Sequence, residues 1–263
     1  IVLGIVEGLT EWLPVSSTGH MILFNEFIKM NVSETFMSTF LVVIQFGSIL
    51  AVLTIFFKKL NPFDVSKTKI QKSETIDLWI KVIIAVIPSG ILGLLFDDTI
   101  DALFFNPTTV AIALIVYGII MIMLENRNKK PSVNSFSEVS YKLAIGIGLF
   151  QCLALIPGTS RSGSTIIGAV LLGTSRYIAT EFSFFLAVPT MLGASALKLV
   201  KTGFAFSGFE WLILATGSIV AYIVSILAIK FLLDYIKKHD FKVFAYYRIV
   251  LGILVLAYFF LIK

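Results

Sequence analysis

The sequence predicts an all-α polytopic membrane protein, built as an inverted repeat. About six transmembrane helices and two re-entrant helix hairpins are expected, the hairpins meeting near the midplane. Three observations predict this. First, 57% of the 263 residues are hydrophobic and only 14% are charged, whereas a soluble domain averages about 25% charged residues. Second, apolar runs of helix-spanning length recur along the chain (mean hydropathy +0.95), which points to helices rather than a barrel. Third, two short segments place ionisable and hydroxyl residues inside apolar sequence, where charge is expensive and marks a functional site.

The elements follow in chain order. The opening apolar run carries Glu7-Gly-Leu-Thr-Glu11-Trp-Leu-Pro14 and continues as Val-Ser16-Ser17-Thr18-Gly19-His20. It is too short to span, and Pro14 removes a backbone donor and breaks the helix, so a re-entrant hairpin is expected. No cleavable leader is expected, because the stretch holds Glu7 and Glu11 and lacks a basic flank. Residues 36–57 form the first expected span. Lys58, Lys59, Lys67, Lys69, Lys72 and Lys81 then mark a cytoplasmic loop. Residues 78–96 form the second span, and Asp97, Asp98 and Asp101 read as a solvated outer loop. Residues 108–124 form the third span, and Arg127, Lys129, Lys130 and Lys142 return the chain to the inside. Pro157-Gly158-Thr159-Ser160-Arg161-Ser162-Gly163-Ser164-Thr165 lies in the second broken apolar run. Spans at 182–200, 210–233 and 244–262 complete the chain, with Lys230, Lys237, Lys238 and Lys242 inside. Trp79 and Trp211 sit near span ends, where indole favours the interface. With this orientation the first hairpin enters from outside and the second from the cytoplasm. Lys198 and Lys201 then fall outside, against the positive-inside rule, outvoted by three richer loops.

A shift of 144 positions lays Gly4 on Gly148, Leu9 on Leu153, Ser16 on Ser160, Gly19 on Gly163 and Ile22 on Ile166. Glu7 falls on Gln151 and Ser17 on Arg161. Each half reads as a hairpin followed by three spans, and an odd number of crossings inverts the second copy. Broken helices in inverted repeats place a site where the copies meet. We read residues 1–263 as a single membrane domain, with repeat one at about 1–125 and repeat two at about 141–263. No loop is long enough for a soluble domain. The net charge of +5 does not point to nucleic acid; the lysines read as topology signals and contacts to anionic lipid headgroups. Cys152 is the one cysteine, so no intrachain disulfide forms.

The chemistry concentrates in the two broken segments. Glu7 and Glu11 are four apart on one helical face. As hard oxygen ligands they suit Mg²⁺ or Ca²⁺, with water and phosphate completing the shell. The spacing alone also fits helix capping or proton transport. Ser16 or Ser17 is the natural N-cap of the helix after the break. His20 is three beyond Ser17 and four beyond Ser16, so its ring reaches back to either hydroxyl. A hydroxyl beside a base is the minimal activated nucleophile. In the second segment, Gly158 and Gly163 allow close backbone approach, and a fresh helix start offers free N–H groups to phosphate. Arg161 supplies a planar fork for phosphate oxygens or, alternatively, a partner for a carboxylate of the other repeat. The terminal Gly-Lys-Ser/Thr of a Walker loop is absent. Gln45 and Arg248 are intramembrane polar residues, read first as helix-to-helix hydrogen bonds. His239, among lysines, reads as interfacial.

At these two motifs the chain resembles the bacterial undecaprenyl-diphosphatase family, also called the bacitracin-resistance family, along essentially its whole length. The resemblance implies hydrolysis of undecaprenyl diphosphate to the monophosphate and inorganic phosphate, which recycles a cell-wall lipid carrier and withdraws the target of bacitracin. It further implies dependence on a divalent cation, a multi-pass protein of the cytoplasmic membrane with its site open to the outer face, and a dimer. On this reading Glu7 and Glu11 hold the cation. Ser16, Ser160, Arg161, Ser162, Gly163, Ser164 and Thr165 surround phosphate. Ser17 or His20 attacks, or both position water, with Glu11 and Arg161 in the catalytic group. An inverted-repeat transporter or translocase of lipid phosphates is the competing class, since it shares the broken helices and the midplane carboxylates.

Overall fold

The structure, a computed structural model, describes every residue except Lys29, Asn128, Ile262 and Lys263, and describes the backbone alone at 25–27, 97, 101 and 261. Among the described residues the regular structure is helical, apart from an isolated bridge between Val133 and Thr174. The helices are α1 (Val2–Thr10), α2 (Ser17–Phe27), α3 (Glu34–Val43), α4 (Gln45–Ile55), α5 (Phe57–Leu60) and α6 (Lys69–Phe104). They continue as α7 (Pro107–Asn126), α8 (Tyr141–Gln151), α9 (Arg161–Leu171), α10 (Arg176–Thr202), α11 (Gly208–Ile236) and α12 (Lys242–Leu261).

Six of these units are long and apolar enough to cross a membrane: Glu34–Ile55, Lys69–Phe96, Pro107–Asn126, Arg176–Thr202, Gly208–Ile236 and Lys242–Phe260. The protein is an all-α, multi-pass membrane protein. Side chains start most of the long helices. Ser33, Asn106, Ser175 and Ser207 each accept a hydrogen bond from a first-turn N–H, and Ser207 forms a capping box with Glu210.

Two expectations change in detail. The stretch 97–101 is not a loop: α6 continues through it to Phe104. Residues 94–105 contain neither Gly nor Pro, so nothing stops the helix before Asn106-Pro107, where the residue preceding proline leaves the α region. The first span is broken at Ile44 into α3 and α4. As the expected spans 78–96 and 182–200 imply, Pro88 and Pro189 lie inside α6 and α10 without ending either helix. The last residue of the expected span 244–262 lies outside the described residues.

Contacts sort the connections into two ends. At one end Lys59 pairs with Glu181 at 2.5 Å, Tyr141 bonds Asp77, and Arg176 pairs with Glu125. At the other, Lys201 reaches Asp98 at 3.4 Å, Thr39 donates to Thr202 at 3.2 Å, and Phe36 meets Phe206 edge-on. The cations gather at the first end.

The two broken segments lie between these ends. α1 runs along α11, where a Cβ on Gly4 would come within 2.7 Å of the Gly217 carbonyl and one on Gly8 within 2.8 Å of that of Ala221. α8 runs along α6 in the equivalent way, and a Cβ on Gly148 would sit 2.1 Å from the Ala85 carbonyl. Glycine is required at such approaches because any side chain would prise the helices apart. α2 then turns back, with Ile22 and Leu23 packed beside Val255 and Phe259 of α12. α9 turns back toward the cationic end, where Ser132 N–H donates to the Gly173 carbonyl. The largest apolar cluster surrounds Trp12, whose ring meets Phe184 edge-on at 5.2 Å.

Candidate active site at the two helix breaks

Both breaks use the same local device. Ser16 and Ser160 have positive φ, 70° and 73°, the non-glycine residues with that conformation among the described residues. Each caps the helix that follows. The Ser16 hydroxyl accepts from Gly19 N–H at 3.4 Å and that of Ser160 from Gly163 N–H at 3.1 Å. The left-handed conformation costs a non-glycine residue about 1–3 kcal/mol and persists only where surroundings enforce it, as at functional sites.

The enforcing group is Arg248 of α12. It is 0% exposed. Its Nη1 donates to the Pro14 carbonyl at 3.3 Å, and its Nη2 to the carbonyls of Gly158 and Thr159 at 3.0 and 2.8 Å. One guanidinium therefore ties the first break to the second. Gly163 is fixed by the same clamp, since a Cβ there would lie 2.6 Å from Arg248 Nη1.

Across this junction a short polar chain forms. Arg161 Nη2 donates to Glu11 Oε1 at 2.8 Å, and Ser17 Oγ donates to Glu11 Oε2 at 2.8 Å. Arg161 Nη1 donates to the Ser183 carbonyl at 2.9 Å, and the guanidinium lies 5.5 Å from the Trp12 ring centre. Arg161 Nε is buried without a partner, which leaves a donor to spare. Glu11, Ser17, Ser160 and Arg161 line a cavity of about 420 Å³. Its other walls come from Gly93 and Leu94 of α6 and from Ala194 and Leu197 of α10, so an apolar arm leads away from the polar end.

The remaining motif residues are distributed as follows. His20 does not meet the hydroxyl of Ser16 or Ser17. Its Nδ1 bonds the Ser16 carbonyl and its Nε2 bonds the Tyr247 hydroxyl, both at 2.7 Å, and it is outside the cavity lining. The α2 geometry explains this: the i−4 backbone carbonyl is nearer than the cap hydroxyl, which faces Gly19. Ser162 donates to the carbonyls of Glu11 and Leu13, both at 3.2 Å, a second tie between the breaks. Ser164 bonds the Ser160 and Arg161 carbonyls, and Thr165 bonds the Arg161 and Ser162 carbonyls and Ser183 Oγ. Thus Ser162, Ser164 and Thr165 face the fold, and Ser160 with Arg161 faces the cavity. Glu7 is buried, and its Oε1 has no hydrogen-bond partner.

Two cavity-wall groups went unread in the sequence. Ser89 and Thr190 accept from Gln151 Nε2 at 2.6 and 3.3 Å. Isolated hydroxyls in long helices carry no signal of their own. Gln151 does carry one, since the 144-position shift lays Glu7 on it.

The sequence matches the model of the family described as bacitracin resistance protein BacA over residues 1–254. It is 78% identical over 262 residues to undecaprenyl-diphosphatase 1 of Clostridioides difficile (strain 630), covering 100% of this chain and 96% of that protein. It is 58% identical to the undecaprenyl-diphosphatase of Desulfitobacterium hafniense, covering 98% and 94%, and 59% identical to that of Enterococcus faecalis, covering 97% and 94%. A profile match along nearly all of the chain, with relatives this similar over their full length, places the junction of breaks in a known context: the chain belongs to the bacitracin resistance protein BacA family.

Proposed function

We propose that this chain hydrolyses undecaprenyl diphosphate to undecaprenyl phosphate and inorganic phosphate, recycling the cell-wall lipid carrier and conferring bacitracin resistance. The observation that carries the chemistry is the Arg161–Glu11–Ser17 chain on one wall of a cavity with an apolar arm. A diphosphate on a prenyl chain has the matching shape, a doubly charged head and a greasy tail.

Arg161 binds the terminal phosphate, exchanging the Glu11 carboxylate for phosphate oxygens through its fork and its spare Nε–H. The freed Glu11 oxygen leaves that carboxylate a stronger acceptor for the Ser17 proton. Ser17 Oγ attacks the terminal phosphorus as Glu11 takes the proton. The bond to the bridging oxygen breaks, undecaprenyl phosphate leaves, and water hydrolyses the phosphoserine. A divalent cation, Mg²⁺ or Ca²⁺, fits the residues present, because the orphaned Glu7 Oε1 lacks a positive partner inside apolar protein. Glu7 and Glu11 would hold it, and when bound it neutralises phosphate oxygens.

The same reading sets α1–α2 and α8–α9 as re-entrant hairpins from opposite faces of the bacterial cytoplasmic membrane, with the cationic end inside and the cavity open outward. The common break geometry and the paired glycine contacts of Gly4 and Gly148 support it. A dimer belongs to the family expectation and is checked by the mass of the solubilised particle.

The test is phosphate release from a polyprenyl diphosphate in detergent micelles. Release is expected, with loss on chelation and radiolabel on Ser17 in a trapped intermediate. Transport of a lipid phosphate between compartments without release would replace the hydrolase with a carrier. Release with no label on Ser17 would assign the attack to water.

A further inference from the structure

We infer that the cationic end of the fold carries a binding site for the phosphate headgroup of an anionic phospholipid, separate from the cavity at the breaks. The site is a recess of about 290 Å³. Arg127, Lys129, Lys130, Arg176 and Lys237 line it, and the carboxylate among its lining residues is Glu125.

The charges are unevenly matched. Glu125 is engaged by Arg176 and also accepts from Phe241 N–H at 3.2 Å. Lys237 pairs with Asp234 at 2.8 Å, outside the recess lining. Arg127, Lys129 and Lys130 have no carboxylate partner among the described residues. Three cations from one short connection thus face a recess whose acid is already satisfied. Thr174 adds an independent sign of a ligand. It lines the recess and is 2% exposed, and its Oγ1 has no hydrogen-bond partner among the described residues. A buried hydroxyl without a partner is costly, and a phosphate oxygen would satisfy it. The recess also meets the first turn of α10, a 27-residue helix whose N-terminal N–H groups favour an anion.

Depth selects the source of that phosphate. Candidate spans Pro107–Asn126, Arg176–Thr202 and Gly208–Ile236 all reach the recess with one terminus. The recess therefore lies where hydrocarbon gives way to water, at the level of lipid phosphates. Val170 and Ile236 supply an apolar wall for the first methylenes of an acyl chain. Basic pockets between helix ends at this level bind anionic headgroups.

The experiment is native mass spectrometry of the detergent-purified full chain, offered phosphatidylglycerol, phosphatidylcholine or inorganic phosphate. The wild type should retain phosphatidylglycerol over phosphatidylcholine by about tenfold, and the triple variant R127A/K129A/K130A should lose most of that preference. The variant leaves the Glu125–Arg176 pair in place. A control, K58A/K72A, removes cations elsewhere at the same end and should change nothing. In the wild type, phosphatidylglycerol should also shield Lys129 and Lys130 from an amine-acylating reagent, which tests the site without any variant. Equal retention of both lipids, an equal loss in the control, or shielding by inorganic phosphate as strong as by the lipid would each overturn the inference.

Discussion

Arg248 is the residue on which the site geometry depends most, and its partners are unusual for a buried cation. It bonds three backbone carbonyls on two separate breaks and, among the described residues, no carboxylate. Replacing it with Lys keeps the charge and loses the fork, so a single ammonium cannot span both breaks. Arg248→Lys should lower stability by about 3 kcal/mol, because buried carbonyls lose charge-assisted bonds. It should also reduce kcat more than KM; thermal unfolding and steady-state kinetics on one preparation check both, and an unchanged kcat would remove the clamp from the catalytic geometry. At Arg161 the grip itself is at issue. Arg161→Ala should lose at least a hundredfold in phosphate release while staying folded, since one preorganised donor is worth roughly that much. Arg161→Lys should rescue little, because an ammonium cannot hold Ser183 and phosphate together. Much of this was legible in the sequence. Glu11, Ser17 and Arg161 were read as site residues, and they meet. In the sequence Arg248 reads as a helix-to-helix bond, because its acceptors are main-chain atoms that only a fold brings near. Spacing alone points His20 at a hydroxyl, and spacing does not distinguish a hydroxyl from the carbonyl of the same serine.

At the scale of elements, close glycine crossings fix how α1 packs on α11 and α8 on α6. A Cβ on Gly148 would lie 2.1 Å from the Ala85 carbonyl, whereas a Cβ on Gly193 would meet nothing within 4 Å. Gly148→Ala should therefore destabilise by about 1–3 kcal/mol through overpacking. Gly193→Ala should stabilise α10 by about 0.5–1 kcal/mol, through helix propensity alone. Midpoints of thermal unfolding in one detergent separate them; equal shifts would mean that the α8–α6 crossing yields more easily than its geometry implies. Helix existence was legible because apolar runs of spanning length leave few alternatives. Helix limits were less so. The acidic stretch 97–101 reads as a loop by composition, yet α6 runs through it because no residue there breaks a helix. The expected spans 78–96 and 182–200 run through Pro88 and Pro189, and the long helices do carry both prolines, as neighbouring helices can compensate for the lost bonds. What restarts the helix after each break is a serine with positive φ held from outside, and a sequence does not display that restraint.

For the whole molecule, the decisive quantity is which end faces the cytoplasm. The sequence places Lys198 and Lys201 outside, against the charge rule. The structure gives Lys201 a partner in Asp98 at the end of α6, and the exposed cations otherwise crowd the opposite end. On the proposed orientation, with the basic end inside, the cavity, which extends along α6 and α10 toward Leu94 and Leu197, opens outward. Single cysteines in a Cys152→Ser background test this in intact cells. A membrane-impermeant maleimide added outside should label Ala205→Cys and Leu197→Cys, and should reach Ser73→Cys only after permeabilisation. Polyprenyl diphosphate should slow labelling at Leu197→Cys and leave Ala205→Cys unaffected, since only the former lines the cavity. Labelling of Leu197→Cys from the cytoplasmic side alone would reverse the opening. It would also place the hydrolysed headgroup on the inner leaflet, so one measurement decides both the topology and the leaflet from which the substrate is drawn.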